Sequence, residues 1–245
     1  MTPEQVAAAS KPVVLTLGEA YTRCPTTLRR ARLLGISGWA FYVTGRAGAL
    51  GDVRAETVAA ALGFIAPDAV ADGWDAAART VRPAEVAAAS FAECCRWGEE
   101  VLGDLPRVDR LARLVERAVA AADASAMPLF AAWRAMPSEA ATPGARGAAG
   151  LRLLREHFTG AHLVAVRASG MTPLEAVLAG PEGASGAMAC GWPPPYPPVG
   201  PLVRRRLWAE AMTDRLVAPA FSALGAADGT ELVELLTTAR THAER

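Results

Sequence analysis

The chain has 245 residues, 52% of them hydrophobic, with 25 basic and 25 acidic side chains and a formal net charge of zero. That length and apolar share supply a sizeable core and exclude a disordered chain, leaving one large domain or two closely packed ones. A neutral balance withholds the positive field behind non-specific phosphate binding, so nucleic acid is not the expected partner unless a local patch supplies it.

Lys11 is the single lysine, and the remaining basic residues are arginine. With abundant alanine this follows the codon usage of a G+C-rich genome, so an arginine's identity alone does not mark a bidentate recognition site. Cys24, Cys94, Cys95 and Cys190 have neither the spacing of a secreted disulfide scaffold nor a Cys-x-x-Cys pattern, which predicts reduced thiols in a cytoplasmic protein. The start, Met1-Thr-Pro-Glu-Gln, is acidic and polar and predicts no signal peptide. The Ala-rich apolar runs are broken by charges and too short to span a bilayer, so no membrane is expected.

In chain order, Thr2-Pro3-Glu4 reads as a helix start, and a second helical piece follows through Thr26 to Leu34. Val13 to Leu17 fits a short strand equally well. Ser37 to Leu50 is apolar, aromatic and glycine-spaced; Gly45 and Gly48 allow close helix approach or a turn. Without a following Lys-Ser/Thr it is not a phosphate loop, so Arg46 is expected to be structural or pocket-lining. Short helices are predicted from Asp52 to Gly63 and from Pro67. Longer ones are predicted over 82–103 and 107–126, the latter with Leu111, Leu114, Val115 and Val119 as its stripe. Ser138 to Gly150 reads as a connector. Thr172-Pro173 starts another helix, and Gly180 to Pro201 breaks into Gly, Pro and aromatic residues. A last pair of helices is expected over 202–217 and 228–241, with Arg204-Arg-Arg206 as the one tight basic cluster. The sum is an all-α, multi-helix globular protein of about nine to eleven helices, a reading that rests on recurrent caps and 3.6-residue periodicity. Its regions are 1–137 and 151–245, packed as one unit.

Titratable groups concentrate in Leu151 to Val166, where Glu156, His157 and His162 stand among apolar residues. On one continuous helix two residues five apart sit roughly 140° from each other and share no face. A break at Gly160, with Thr159 capping a new helix near Ala161, would turn both imidazoles into one cavity. The alternative is structural: His157 ending a helix and His162 a hydrogen-bonded buried ring. Glu156 and His157 project about 100° apart, so these three are not expected to converge on a metal. No cofactor is indicated.

Three stretches carry a resemblance: Gly38-Trp-Ala-Phe-Tyr-Val-Thr-Gly-Arg-Ala-Gly-Ala-Leu-Gly51 with Phe64-Ile-Ala-Pro67, Leu154-Arg-Glu-His-Phe-Thr-Gly-Ala-His162, and Thr213 to Gly225. They resemble a family from high-G+C Gram-positive bacteria labelled helix-turn-helix, with little assigned biochemistry. The family's central motif reads Leu-Arg-Glu-His-Arg-Gly-Asp-Gly-His, so this chain keeps Glu156, His157 and His162 and lacks the acidic residue between the histidines. The resemblance also implies a recognition helix and wing before the Thr-Asp-Arg helix, where only Pro193 to Leu207 stands here. A degenerate winged-helix remnant is then one expectation for the C-terminal part.

Three function classes are open. The first is a small-molecule-binding protein, as an enzyme of specialised metabolism acting on an apolar organic ligand. Its pocket would be lined by Trp39, Tyr42, Arg46, Trp192 and Tyr196, closed by residues 191–198, with His157 or His162 as acid/base and Glu156 orienting it. The second is a DNA-binding regulator using Arg204, Arg205 and Arg206. The third is a non-catalytic partner protein docking through its proline-rich loop.

Overall fold

The computed structural model describes residues 1–137 and 140–244. Among them there are thirteen α-helices and no strand. Helix α9, Pro143–Ala168, is the longest and organises the rest. Between Gly144 and Val166 its buried positions occupy nearly the whole circumference, which a helix tolerates only with neighbours on every side. Those neighbours are α1 (Pro3–Leu17), α6 (Pro83–Trp97), α7 (Val108–Ala121), α8 (Pro128–Ala135) and α12 (Val203–Ser222). The main core runs from Val6 on α1 through Leu111 and Leu114 on α7 and Leu151, Leu154 and Phe158 on α9. It continues to Phe221 on α12 and to Leu232 and Leu236 on α13 (Gly225–Ala243). A second cluster gathers Val43 of α3 (Gly38–Ala47), Val58 and Leu62 of α4 (Ala55–Leu62), and Val70 and Trp74 of α5 (Pro67–Ala78).

Local chemistry sets the helix starts. Thr2 accepts from the Gln5 amide while Gln5 reaches back to Thr2, and Thr172 and Glu175 form the same reciprocal pair ahead of α10 (Pro173–Leu178). Ser37 caps α3 and Thr142 caps α9 through one side-chain acceptor each. Of the two roles open to Gly45 and Gly48, close approach or a turn, both serve close approach: a Cβ on Gly45 would lie 2.8 Å from Ser90 Oγ, and one on Gly48 would run into the Pro83 carbonyl.

Several expectations are corrected. For Val13 to Leu17, where a strand stood as the alternative, the helix reading holds and the stretch belongs to α1. The connector foreseen from Ser138 is helical from Pro143 onward, and its residues 138–139 lie outside the described residues. The irregular stretch after Gly180 contains α11 (Gly183–Ala189), and α12 continues past the foreseen break, through Pro219, to Ser222. The helices exceed the nine to eleven expected because short ones such as α8 and α11 are too brief to show a periodicity of their own.

The largest correction is at Gly160, which lies inside an unbroken α9. Thr159 donates from Oγ1 to the Arg155 carbonyl at 2.8 Å, a bond back into the preceding turn, so it does not cap a new helix. Gly160 is there for contact: a Cβ would meet Met127 Cγ at 2.9 Å.

Candidate functional site

An unbroken α9 separates the two histidines. His157 is 1% exposed, packs its ring 4.8 Å from that of Phe130, and places Nε2 3.1 Å from the Asp123 carbonyl oxygen. A carbonyl only accepts, so Nε2 carries the proton and Nδ1, buried and without a partner among the described residues, holds the lone pair. His162 looks the other way, with Nδ1 2.9 Å from Thr213 Oγ1 and its ring stacked on Phe64 at 5.4 Å. Thr213 donates its own hydroxyl proton to the Ala209 carbonyl. Its oxygen therefore accepts from His162 Nδ1–H, which leaves Nε2 as the basic nitrogen. The two imidazoles share no cavity.

His162 lines a cleft of about 600 Å³. Three helices present one face each to it, in positions three, four or seven apart: Trp39, Tyr42 and Arg46 from α3, Arg155, Thr159 and His162 from α9, and Arg206 and Glu210 from α12. Glu19, Thr22 and Arg23, at and within the 3-10 turn Ala20–Arg23, line another side. The α10–α11 hairpin, with Val177, Glu182 and Cys190, completes it. Of the residues expected to line a pocket, Trp39, Tyr42, Arg46 and His162 are brought together. Trp192 and Tyr196 are not: the Trp192 indole donates to the Phe64 carbonyl at 2.9 Å and the Tyr196 hydroxyl to the Trp192 carbonyl at 2.7 Å. The 191–198 segment is thus tied down beside the α4–α5 turn and does not close the cleft, a role that falls to α10–α11.

Beneath the cleft lies a buried ion array. Arg46 donates from Nε and Nη2 to the two carboxylate oxygens of Glu156 at 3.0 and 2.8 Å, and Arg155 donates from Nη1 to Oε1 at 3.0 Å. Glu156 therefore orients two guanidinium groups and no imidazole. Burial alone would raise its pKa, but the charges of Arg46 and Arg155, with the Arg46 hydrogen bonds, outweigh it and hold the carboxyl down at about 2. Arg155 also bonds Glu19 through Nη2, and Arg46 reaches the Tyr42 hydroxyl at 3.4 Å.

A third buried cation, Arg152, has no carboxylate bond among the described residues. It donates to the Gly45 carbonyl at 2.7 Å, and the Trp133 indole donates to the Arg46 carbonyl at 2.7 Å, so both satisfy last-turn acceptors of α3. Its guanidinium lies 3.7 Å above the Trp133 ring and 5.4 Å from that of Tyr21. At the outer end Lys11 bridges Glu210 and Asp214 at 2.8 Å each; burial opposes its charge, but these bonds raise its pKa. Among the described residues no cluster of three or more His, Cys, Asp or Glu is arranged for a metal ion, and no helix is long and apolar enough to cross a membrane. The four cysteines are free thiols.

These shifts predict two acid steps. Burial holds both His157 and His162 below the ordinary value of 6.5, so the unfolded chain binds protons there that the folded one does not. Stability should fall as pH drops below about 6.5. It should fall again below 4.5, as Glu156 loses stabilisation on the order of 3 kcal/mol down to about pH 2. Urea midpoints measured from pH 8 to 3 check this, and the first step should shrink in His157→Gln.

Glu19, Thr22, Arg23, Phe64, Arg155, Thr159, Cys190, Glu182 and Glu210 were not anticipated as lining residues. On α9 and α12 the signal was available: with no break assumed, Arg155, Thr159 and His162 fall at i, i+4 and i+7, and Arg206 and Glu210 at i and i+4. For Glu19 and the α10–α11 hairpin, which arrive through tertiary packing, no local signal existed.

A search of curated proteins and a search of solved structures each returned no match. A family model described as "Helix-turn-helix family" matches residues 8–195, which takes in α3, α9 and the α10–α11 hairpin. By that match across most of its length, the chain belongs to this helix-turn-helix family.

Proposed function

We propose that this protein binds a small organic molecule in the cleft between α3, α9, α12 and the α10–α11 hairpin. The observation that carries the reading is the convergence there of half-buried aromatic and hydroxyl groups above a rigid, buried Arg46–Glu156–Arg155 array. This is the general make-up of a small-molecule site, a concave volume with a few fixed polar groups. Its charged groups argue for a ligand that carries a charged or hydrogen-bonding part beside the apolar body expected from the sequence. If chemistry occurs, His162 is the acid/base group, with Nδ1–H held by Thr213 and a neutral ring near pH 7. His157 lies outside the cleft and takes no part.

The test is a thermal-shift screen of small aromatic and polar compounds, repeated on Ala189→Trp, which fills the cleft mouth at an exposed position. Compounds that stabilise the native protein should lose their effect in that variant. A screen without hits, or hits indifferent to Ala189→Trp, would refute the reading. Conversion of a bound compound, if found, should vanish in His162→Asn and persist in His157→Gln.

A second reading, DNA-binding regulation, draws on the family description and on the exposed Arg204 and Arg205 near the start of α12. Against it, Arg206 turns inward to pair with Glu210 at 3.4 Å. Between Trp192 and Thr213 the chain offers only a proline-rich segment, one 3-10 turn and the α12 start, where a reader needs a helix presented to the major groove. Salt-sensitive, sequence-specific DNA binding lost on replacing Arg204 and Arg205 would establish it.

A further inference from the structure

On the reading of the cleft as a ligand site, we infer that its ligand is a planar aromatic carboxylate, and that Glu19 is the internal carboxylate this ligand displaces from Arg155. The two carboxylates on Arg155 are held very differently. Glu156 is 2% exposed in its side chain and locked by paired bonds from Arg46 as well as by Arg155. Glu19 is 27% exposed, and its other partner, Arg23 at 3.6 Å, has a side chain 85% exposed. Exchanging Glu19 therefore disturbs one Arg155 bond and a weak surface pair, while exchanging Glu156 would strip Arg46 of both its carboxylate bonds and leave Arg155 with the partly exposed Glu19 alone.

Arg155 is suited to the exchange. It is nearly buried, remains charged at any working pH, and carries five N–H donors in a planar fork that matches a carboxylate. Among the described residues it makes one bond to Glu156 and one to Glu19, so Nε and the outer hydrogens remain for a second acceptor. An incoming carboxylate keeps Arg155 compensated as Glu19 leaves. At this corner a cationic ligand would meet Arg23, Arg46 and Arg155 together, while the cleft's other carboxylates stand elsewhere, Glu182 on the hairpin and Glu210 on α12 already paired with Lys11 and Arg206; a neutral ligand has nothing to offer in place of Glu19.

The aromatic part follows from the rings in the cleft. Trp39 and Tyr42 stack at 5.8 Å with 26° between planes, and Phe64 and His162 at 5.4 Å with 27°. All four line the same volume, about 600 Å³, which accommodates a molecule of two or three fused rings. Flat faces beside a guanidinium fork select a flat acid.

The experiment is calorimetric titration with 2-naphthoate and with its uncharged analogue 2-naphthamide, on the native protein, Glu19→Gln and Ala189→Trp. Naphthoate should bind the native protein at least about tenfold more tightly than the amide, the scale of one charge-assisted bond pair. Glu19→Gln should tighten naphthoate by about tenfold and leave the amide unchanged, because the competing carboxylate is gone while Arg155 remains. Ala189→Trp should weaken both. If the amide binds as well as the acid, or Glu19→Gln leaves naphthoate unchanged, the carboxylate inference is overturned while the cleft remains a ligand site. If neither probe binds the native protein or Glu19→Gln, or binding ignores Ala189→Trp, the inference falls together with the reading of the cleft.

Discussion

Replacing Glu156 by Ala should destabilise the protein by about 3–5 kcal/mol, the cost of leaving buried charges without their counter-ion. Arg46 is 6% and Arg155 9% exposed; among the described residues Glu156 is the one carboxylate on Arg46, and it shares Arg155 with the partly exposed Glu19, so Arg46 above all cannot turn to water without opening the contact between α3 and α9. Arg152, buried nearby on the next turn of α9, would add to the repulsion. Glu156→Gln should cost less, since the amide keeps the shape and one acceptor oxygen. Arg46→Met with Glu156→Leu should recover much of the loss, because removing both members of a buried pair eliminates the desolvation penalty as well as the attraction. For scale, Glu210→Ala, which breaks a partly exposed bridge to Lys11, should cost about 1 kcal/mol or less. Urea unfolding at pH 7 reads these differences. A Glu156→Ala cost as small as that of Glu210→Ala would show that water reaches the array, and that Arg46 and Arg155 are not the fixed floor the cleft requires.

The all-helical class was legible because its markers are local. Thr2 and Thr172, each followed by proline in the first turn, announce helix starts, and the α7 stripe of Leu111, Leu114, Val115 and Val119 repeats at helical spacing. The α3 face of Trp39, Tyr42 and Arg46 was legible for the same reason. What failed depended on partners distant in the chain. Gly160 has the composition of a helix breaker, and only Met127 lying against it shows why a glycine continues the helix there. That one misreading joined His157 to His162 and hid Arg155, Thr159 and His162 as a single face. Glu156 beside a histidine suggested an orienting carboxylate, but Arg46, 110 residues earlier, takes both of its oxygens. The proline-rich segment looked like a flap because prolines and aromatics cluster in it; its Trp192 instead anchors it to the Phe64 carbonyl.

Gly98→Ala should be strongly destabilising, by about 2–3 kcal/mol or more, although alanine in an unencumbered helix gains about 1 kcal/mol over glycine. Gly98 opens the π-helical turn Gly98–Leu102 after α6, where it crosses the first turn of α9. A Cβ there would run into the Gly144 carbonyl oxygen and stand 2.6 Å from Ala148 Cβ, and a Cβ on Gly144 would meet the Gly98 carbonyl in return. Backbone faces backbone, so no side-chain rotamer can relieve the overlap. The two helices must separate, at the expense of contacts made by buried Trp97 and Leu102. One turn along, Gly147 supplies the control. Its added Cβ would find only Leu102 Cδ1 at 4.0 Å, ordinary contact, so Gly147→Ala should stabilise by about 0.5–1 kcal/mol. The same substitution three residues apart on one helix is thus expected to change sign between Gly144 and Gly147. Denaturant midpoints of Gly98→Ala, Gly144→Ala and Gly147→Ala decide it: three small gains of similar size would mean that α6 and α9 do not approach to backbone contact. The central position of α9, and with it the convergence of α3, α9 and α12 around the cleft, would then need a different packing.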